Sequence, residues 1–184
     1  MMSLEMLDHA VEAGEIDTIF VGFTDLYGRL VGKRFDAGFF LEETAEKGTH
    51  GCDYLLTVDM EMEPVQGYAL ASWDRGYGDF HLVPDLTTMR TASWLEKTAI
   101  VLCDVESEAT HAPVAEAPRS MLKQQVEEAV DLGYEVSAAS ELEFYLFEDG
   151  YREAAEADYH KLRPAGWYIE DYHTLLTTRE EALN

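Results

Sequence analysis

The sequence predicts an α+β fold in two parts, a strand-rich unit over residues 1–105 and a second unit over residues 106–184. Paired β-rich runs separated by turn signals dominate the first part, while a strong helix pattern and one long apolar run open the second. Hydrophobic residues make up 47% of the 184-residue chain and aromatic residues 11%. That composition allows a packed core and argues against disorder. The polar stretch SEATHAPVAEAPR marks the predicted boundary.

The first unit begins with a predicted helix, SLEMLDHAVEAGEI, which combines a serine cap signal with apolar residues at helical spacing. The run TIFVGFTDLYGRLVGKRFDA has two β-rich stretches around a glycine turn and predicts a hairpin. GFFLEETAEKG predicts a short helix ended by Gly48. Residues 49–78 show no sustained period and predict a long loop with short strands, a kind of segment that is often functional.

Three further elements follow from local signals. DFHLVPDLTTMR and EKTAIVLCDVES are strand-like and complete the first unit. PRSMLKQQVEEAVDLG predicts a helix with Pro118 in its first turn and Gly133 after its end. YEVSAASELEFYLFE then predicts one strand or two.

The formal net charge of -24, from 13 basic and 37 acidic side chains, excludes some partners. Such a surface repels phosphate backbones and anionic lipid, so neither nucleic acid nor a membrane is expected as a partner. The N-terminus carries acidic residues where a signal peptide needs a basic start, which predicts a cytoplasmic protein. Cys52 and Cys103 have no paired spacing and are expected to be reduced, buried thiols.

Two carboxylates interrupt the apolar run ASELEFYLFE, at Glu141 and Glu143. In a strand, residues i and i+2 share a face, so the two would lie about 7 Å apart at the backbone. Their repulsion must be relieved by water, by basic partners or by divalent cations. A solvated strand face, a salt-bridged pair, a metal site and an acid–base pair therefore all remain open. Mg²⁺ or Mn²⁺ is the metal class that carboxylates favour.

At this point five stretches, in order, resemble the glutamine synthetase family. They are the hairpin FVGFTDLYGRLVGKRF, the strand GDFHLVPDLTTMR, the block TASWLEKTAIVLCDV, the helix APRSMLKQQVEEAVDLGYE and the Glu-x-Glu-Phe strand ELEFYLF. The resemblance implies a β-grasp-like N-terminal domain over residues 1–105, followed by the start of a glutamine synthetase catalytic domain over residues 106–184.

The resemblance also implies an activity. Enzymes of this family use ATP to convert glutamate to γ-glutamyl phosphate, which ammonia or another amine attacks. Mg²⁺ or Mn²⁺ ions lie between ATP and glutamate. By position, Glu143 would bind the metal on the glutamate side and Glu141 the metal that bridges the ATP phosphates. The family further implies a homo-oligomer in which the hairpin at residues 19–36 and the loop at residues 50–80 contact the next subunit.

By the same resemblance, Asp79 would face the amine pocket and is the candidate catalytic residue of the N-terminal unit. The family's Asp-Gly-Ser-Ser loop is absent, and either Asp53 or Asp59 could replace its aspartate. This departure favours a larger amine over ammonia. Arg119 is expected to be structural, and the histidines show no metal-ligand spacing.

Family members extend for a few hundred residues more, so this chain is expected to be an N-terminal fragment that lacks most of the active site and is inactive alone. The alternative is a non-catalytic glutamine synthetase-like protein with a binding or assembly role. Retention of both Glu141 and Glu143 favours the ligase, because a protein without the chemistry has no reason to keep a repulsive pair.

Overall fold

The computed structural model describes residues 2–74 and 76–166, and these form an α+β fold around a five-stranded mixed sheet. The order across the sheet is β2-β1-β5-β4-β3. This confirms the predicted α+β class, the hairpin and the two later strands. The bounds are β1 (Thr18–Thr24), β2 (Leu30–Asp36), β3 (Thr49–Cys52), β4 (Asp79–Thr91) and β5 (Thr98–Ser107).

The predicted helices of the first unit are confirmed. Helix α1 (Leu4–Glu12) begins at Ser3, whose hydroxyl oxygen accepts a hydrogen bond from the Met6 backbone N–H at 3.2 Å. Helix α2 (Ala37–Phe39), a π-helical turn (Phe40–Thr44) and α3 (Ala45–Lys47) form one continuous helical segment that ends before Gly48. A 3₁₀ turn (Asp53–Leu56) follows β3 and opens the long irregular stretch up to residue 78.

Helix α4 (Pro118–Asp131) is confirmed at both ends. Pro118 occupies its first turn, and Gly133 follows it with a φ of 84°. A short helix, α5 (Tyr151–Glu156), had no clear sequence signal and was not predicted. None of the helices in the described parts of the chain is both long and apolar enough to cross a membrane.

The hydrophobic core joins residues of α1 and the α2–α3 segment to residues of β1, β4 and β5. β1 pairs antiparallel with β2 and parallel with β5, and its alternate residues Ile19, Val21 and Phe23 are buried. Cys103 on β5 is fully buried, and burial raises the pKa of its thiol to about 12. This confirms a buried thiol there, while Cys52 is only half-buried. The largest side chains of this core include Leu7, Ile19, Val21, Phe23, Phe40, Val101 and Val105.

The described chain divides into two compact units, Met1–Val136 and the part that begins at Ser137. Helix α4 belongs to the first of these. The domain boundary between residues 105 and 106 stays a prediction.

The strand predicted over residues 134–148 is wrong for the described structure. Residues 134–146 adopt no regular secondary structure, and Leu142 and Phe144 are 85% and 72% exposed. A strand is held by hydrogen bonds to a neighbouring strand, and none of the described strands pairs with this segment. Its pairing is confined to one bridge between Phe147 and Pro164. An apolar pattern alone does not make a strand when no partner lies beside it.

Candidate functional site

Two aspartates occupy neighbouring backbone positions where β3 ends and β4 begins. The pairing of these strands sets Cys52 opposite Asp79, so Asp53 is the next residue along from that pair. The Asp53 backbone N–H donates to the Gly78 carbonyl at 3.0 Å, and the Gly78 N–H donates to Asp53 Oδ2 at 3.0 Å. This reciprocal clamp holds the two ends of a long loop together. We call the pair Asp53 and Asp79 the acidic edge.

Three aromatic side chains of the same loop lie beside the acidic edge. Tyr54, directly after Asp53, meets Tyr77 edge to face at 6.0 Å between ring centroids. Trp73 meets Tyr77 in the same way at 5.3 Å. Trp73 is 72% exposed, so its contact with Tyr77 leaves most of the indole surface open. Aromatic faces next to carboxylates are an environment that attracts ammonium groups, through cation–π contact and ion pairing.

Two polar atoms at this edge are buried without a protein partner. Asp53 Oδ1 and the Tyr77 hydroxyl have no hydrogen-bond partner within residues 2–74 and 76–166. Buried polar atoms are normally satisfied, so each of these calls for a water molecule or a ligand. A ligand with N–H donors fits Asp53 Oδ1, because an ionised carboxylate can only accept.

Asp59, the other aspartate named from the sequence, lies in a different setting. Its carboxylate accepts from the Glu61 and Glu63 backbone N–H groups at 2.8 and 3.0 Å, which shapes a turn. The Asp59 carbonyl accepts from Arg29 at 2.9 Å. Asp59 is thus committed to holding the loop, and the structure brings Asp53, not Asp59, beside Asp79.

The loop is also held to the tip of the β1–β2 hairpin. Buried Asp25 accepts from Arg29 Nε at 2.6 Å and from the Tyr27 and Arg29 backbone N–H groups at 2.9 Å. Arg29 in turn donates to the Met60 carbonyl at 2.6 Å. The predicted subunit-contact regions, the hairpin and the loop, are therefore one connected surface within the first unit.

Arg119 has the structural role expected for it. At the start of α4 it donates to Asp104 of β5 at 2.8 Å and to Asp85 of β4, while Lys123 reaches Asp104 at 2.5 Å. The pKa of Asp85 is held below its usual range, first by a hydrogen bond from the Thr87 hydroxyl and then, more weakly, by the Arg119 charge. This ionic network fastens α4 to the sheet.

Glu141 and Glu143 lie in the second unit, in the exposed segment described above. Within the described residues, neither carboxylate makes a hydrogen bond or an ion pair with protein. Exposed carboxylate oxygens without a protein partner are the type of ligand that a hard divalent cation prefers. The shared strand face that would aim both at one site is not formed here, so their role as metal ligands stays a prediction.

Sequence reasoning missed the aromatic side chains beside the acidic edge. Tyr54 and Tyr77 come together because the chain between them is closed at Asp53 and Gly78, which are 25 positions apart in the sequence. The two glycines on either side of Tyr77, in RGYGDF, were the available signal that the backbone there lies close to another part of the chain.

Comparison of the sequence with known proteins identifies a matching family and several similar proteins. A family model for the glutamine synthetase catalytic domain matches residues 115–180. A γ-glutamylethanolamide synthetase, GlnA4 of Streptomyces coelicolor, is 47% identical over 182 residues, which cover 99% of this chain and 39% of that protein. A glutamate–isopropylamine ligase of a Pseudomonas species is 37% identical, over 84% of this chain and 33% of its own length. The chain thus spans well under half of these curated relatives.

Among solved structures, an ADP complex of GmaS is similar to this chain with a TM-score of 0.52. The match covers 72% of this chain and 26% of the GmaS chain, at 23% sequence identity. At that identity the likeness concerns the fold alone.

Proposed function

Because the chain belongs to a glutamine synthetase-like family, we propose that it is the N-terminal part of an ATP-dependent ligase that joins glutamate to an amine. Support comes from the 47% identity to a γ-glutamylethanolamide synthetase and the 37% identity to a glutamate–isopropylamine ligase. In this proposal the N-terminal unit is β-grasp-like and the catalytic domain starts before α4. The whole activity needs more chain than these 184 residues, so this chain alone is proposed to be inactive.

The observation that carries the amine assignment is the unpartnered Oδ1 of Asp53, buried beside Tyr77 at the acidic edge. A primary ammonium group would place one N–H on Asp53 Oδ1 and pair its charge with that carboxylate. The carbon chain of the amine would pack against the aromatic rings of Tyr54, Tyr77 and Trp73 and bury apolar surface there. Ammonia has no carbon chain to bury, so this lining favours an alkylamine over ammonia.

The carboxylates of the second unit have a different proposed part. Glu143 would hold a divalent cation against the glutamate carboxylate, and Glu141 would hold one against the ATP phosphates. Mg²⁺ or Mn²⁺, when bound, supplies positive charge that offsets the charge developing on the transferred phosphoryl group. The proposed order is phosphorylation of glutamate followed by amine attack, and the acidic edge would keep the amine oriented until it loses a proton.

Asp53→Asn is the direct test of the amine site. In the protein made from the native reading frame that contains this chain, we expect the KM for the amine to rise about 10- to 100-fold. This follows because a charge-assisted hydrogen bond contributes about 1.5–3 kcal/mol. Asp79→Asn should act in the same direction, and kcat at saturating amine should change little.

Asp59→Asn is the matched control, because asparagine keeps an oxygen acceptor for the turn that Asp59 holds. Steady-state kinetics with the amine varied and glutamate and ATP saturating should leave this variant close to wild type. A rise in KM for Asp59→Asn with none for Asp53→Asn would show that the acidic edge does not bind the amine.

The hairpin tip supports the proposal of a homo-oligomer. Leu26, Tyr27 and Leu30 are 42%, 51% and 41% exposed, which leaves an apolar patch that another subunit could cover. We expect Leu26→Lys to weaken the assembly of the native protein at least about tenfold, the effect of losing one well-packed interface side chain. Met6→Lys, on the exposed side of α1 at 56% exposure, is the control. Sedimentation velocity over a dilution series measures both, and an unchanged assembly for Leu26→Lys would exclude the hairpin tip from the interface.

A further inference from the structure

Three possible metal ligands meet on the first unit. None of them belongs to the acidic edge, although His81 follows Asp79 by two residues on β4. His81 on β4 is the direct cross-strand partner of Glu106 on β5, and His111 comes from the turn that follows β5. One ligand atom from each lies within 4.8 Å of the others. His81 Nδ1 is 3.6 Å and His111 Nδ1 is 3.9 Å from Glu106 Oε2. We call this group the His-Glu-His cluster.

The backbone fixes which nitrogen of His81 is free. His81 Nε2 lies 2.8 Å from the Lys47 carbonyl, which can only accept, so Nε2 carries the proton. Gly48 makes this approach possible: a Cβ at Gly48 would lie 2.6 Å from His81 Nε2, and its φ of 70° is one that other residues rarely adopt. A ring N–H donated to a backbone carbonyl is the arrangement that commonly orients a metal-binding histidine.

The other ring nitrogen then lacks a partner. His81 Nδ1 is buried and has no hydrogen bond within the described residues. It faces Glu106 Oε2 at 3.6 Å, so a lone pair points at a carboxylate oxygen. Two acceptors opposed in this way repel unless a cation lies between them. Either a second proton on His81 or a metal ion would remove the conflict.

The turn after β5 brings the third ligand back over the sheet. The His111 N–H donates to the Ser107 carbonyl at 2.8 Å, and His111 adopts a positive φ of 54°. The next residues return to the strand, where Val114 N–H donates to the Val105 carbonyl at 2.9 Å. Because the His111 side chain is 66% exposed, it can rotate toward Glu106 without disturbing the core.

From these contacts we infer that the His-Glu-His cluster is a binding site for Zn²⁺ or a similar divalent transition metal. In a tetrahedral zinc site, neighbouring ligand atoms are about 3.4 Å apart, given metal–ligand bonds of about 2.0–2.2 Å. The two pairs that include Glu106 Oε2, at 3.6 and 3.9 Å, exceed that spacing by a few tenths of an ångström, and all three ligand atoms lie within 4.8 Å of one another. Two imidazoles and one carboxylate suit zinc and exclude Mg²⁺ as the natural ion, because Mg²⁺ prefers an all-oxygen shell.

The site does not depend on the proposed ligase activity, since none of its ligands belongs to the acidic edge or to the Glu141 and Glu143 pair. A bound ion would tie the turn at His111 to β4 and β5. With three protein ligands, a fourth position would remain for water.

The test is Zn²⁺ titration of the 184-residue chain by isothermal calorimetry, with excess Mg²⁺ in the buffer to occupy oxygen-only sites. We expect one Zn²⁺ per chain, and Co²⁺ should give the visible absorption bands of a tetrahedral site. His111→Gln and Glu106→Gln should each weaken binding at least 10- to 100-fold, the range seen for loss of even an indirect contact to a metal ligand. His111 and Glu106 give two independent variants, and His111 is exposed enough to be replaced without unfolding.

His9→Gln is the matched control, because His9 Nδ1 also lies 3.9 Å from a glutamate, Glu12, but the described residues offer it no third donor. It should bind Zn²⁺ like the wild type. Failure of the wild type to bind Zn²⁺ would overturn the inference. Equal binding by His111→Gln, Glu106→Gln and the wild type would overturn it as well.

Discussion

Glu143→Ala is expected to lower turnover by at least about 10³-fold in the protein made from the native reading frame that contains this chain. Each factor of ten in rate corresponds to about 1.4 kcal/mol, and a catalytic cation contributes several kcal/mol. Glu141→Ala should have an effect of the same size. The two should differ in kind: Glu141→Ala should weaken the metal-ATP site and Glu143→Ala the site on the glutamate side.

Folding stability should be spared in both variants. Glu141 and Glu143 are exposed in the described structure and carry like charges, so removal of one breaks no contact with protein and relieves repulsion. Glu135→Ala, an exposed glutamate a few residues earlier, is the control and should keep wild-type activity. Mn²⁺ titration with turnover measures these effects. Wild-type activity of either site variant at saturating metal would show that the pair is a solvated surface and not a metal site.

Arg119→Met is expected to destabilise the 184-residue chain by about 2 kcal/mol. Arg119 is 24% exposed and connects Asp85 and Asp104, which are 19% and 29% exposed. Loss of one partner from a buried ion pair costs about 3–5 kcal/mol, and the partial exposure of this network reduces that figure. Methionine keeps the apolar stem of the side chain, so the change isolates the charge. Urea unfolding followed by circular dichroism measures the free energy of unfolding.

Arg90→Met is the control, because Arg90 is exposed and its guanidinium contacts only the Thr88 carbonyl among described residues, at 2.9 Å. Its stability should stay within about 0.5 kcal/mol of wild type. Equal stability of Arg119→Met and wild type would show that the network does not hold α4 to the sheet.

The same ionic network makes the free energy of unfolding depend on pH in the acidic range. The folded-state pKa of Asp85 lies below its unfolded value, so its contribution is present above the unfolded pKa of about 3.9. It is lost as the pH falls through the lower, folded-state pKa. Because the Thr87 hydrogen bond is the largest cause, Thr87→Val should reduce this acid-dependent loss more than Arg119→Met does.

Much of the fold could be predicted because its signals are local. Pro118 and Gly133 bracket α4, Ser3 caps α1, and alternating apolar residues identify β1. Strand order is not a local property, and nothing in the sequence of β1 shows that it pairs parallel with β5. The segment around Glu141 also shows that strand pairing is not a local property. Its sequence has a clear strand pattern, but none of the described strands pairs with it.

Residues of the candidate site could be predicted only where the resemblance to the glutamine synthetase family named them. Asp79 was named from the order of motifs, but Asp53 and Asp59 could not be separated before the β3–β4 register placed Asp53 beside Asp79. The His-Glu-His cluster was missed because ligand spacing along the chain is irregular. His81 and Glu106 are neighbours through strand pairing, which sequence distance does not reveal.

The central claim is that this chain is part of a ligase that joins glutamate to an amine. The most direct measurement is mass-spectrometric detection of γ-glutamyl amide in reactions with glutamate, ATP, Mg²⁺ and either ethanolamine, isopropylamine or ammonia. We expect ATP-dependent product from at least one alkylamine with the protein of the native reading frame, and none with the 184-residue chain alone. Failure of the native protein to form any γ-glutamyl product, with ATP left unconsumed, would contradict it.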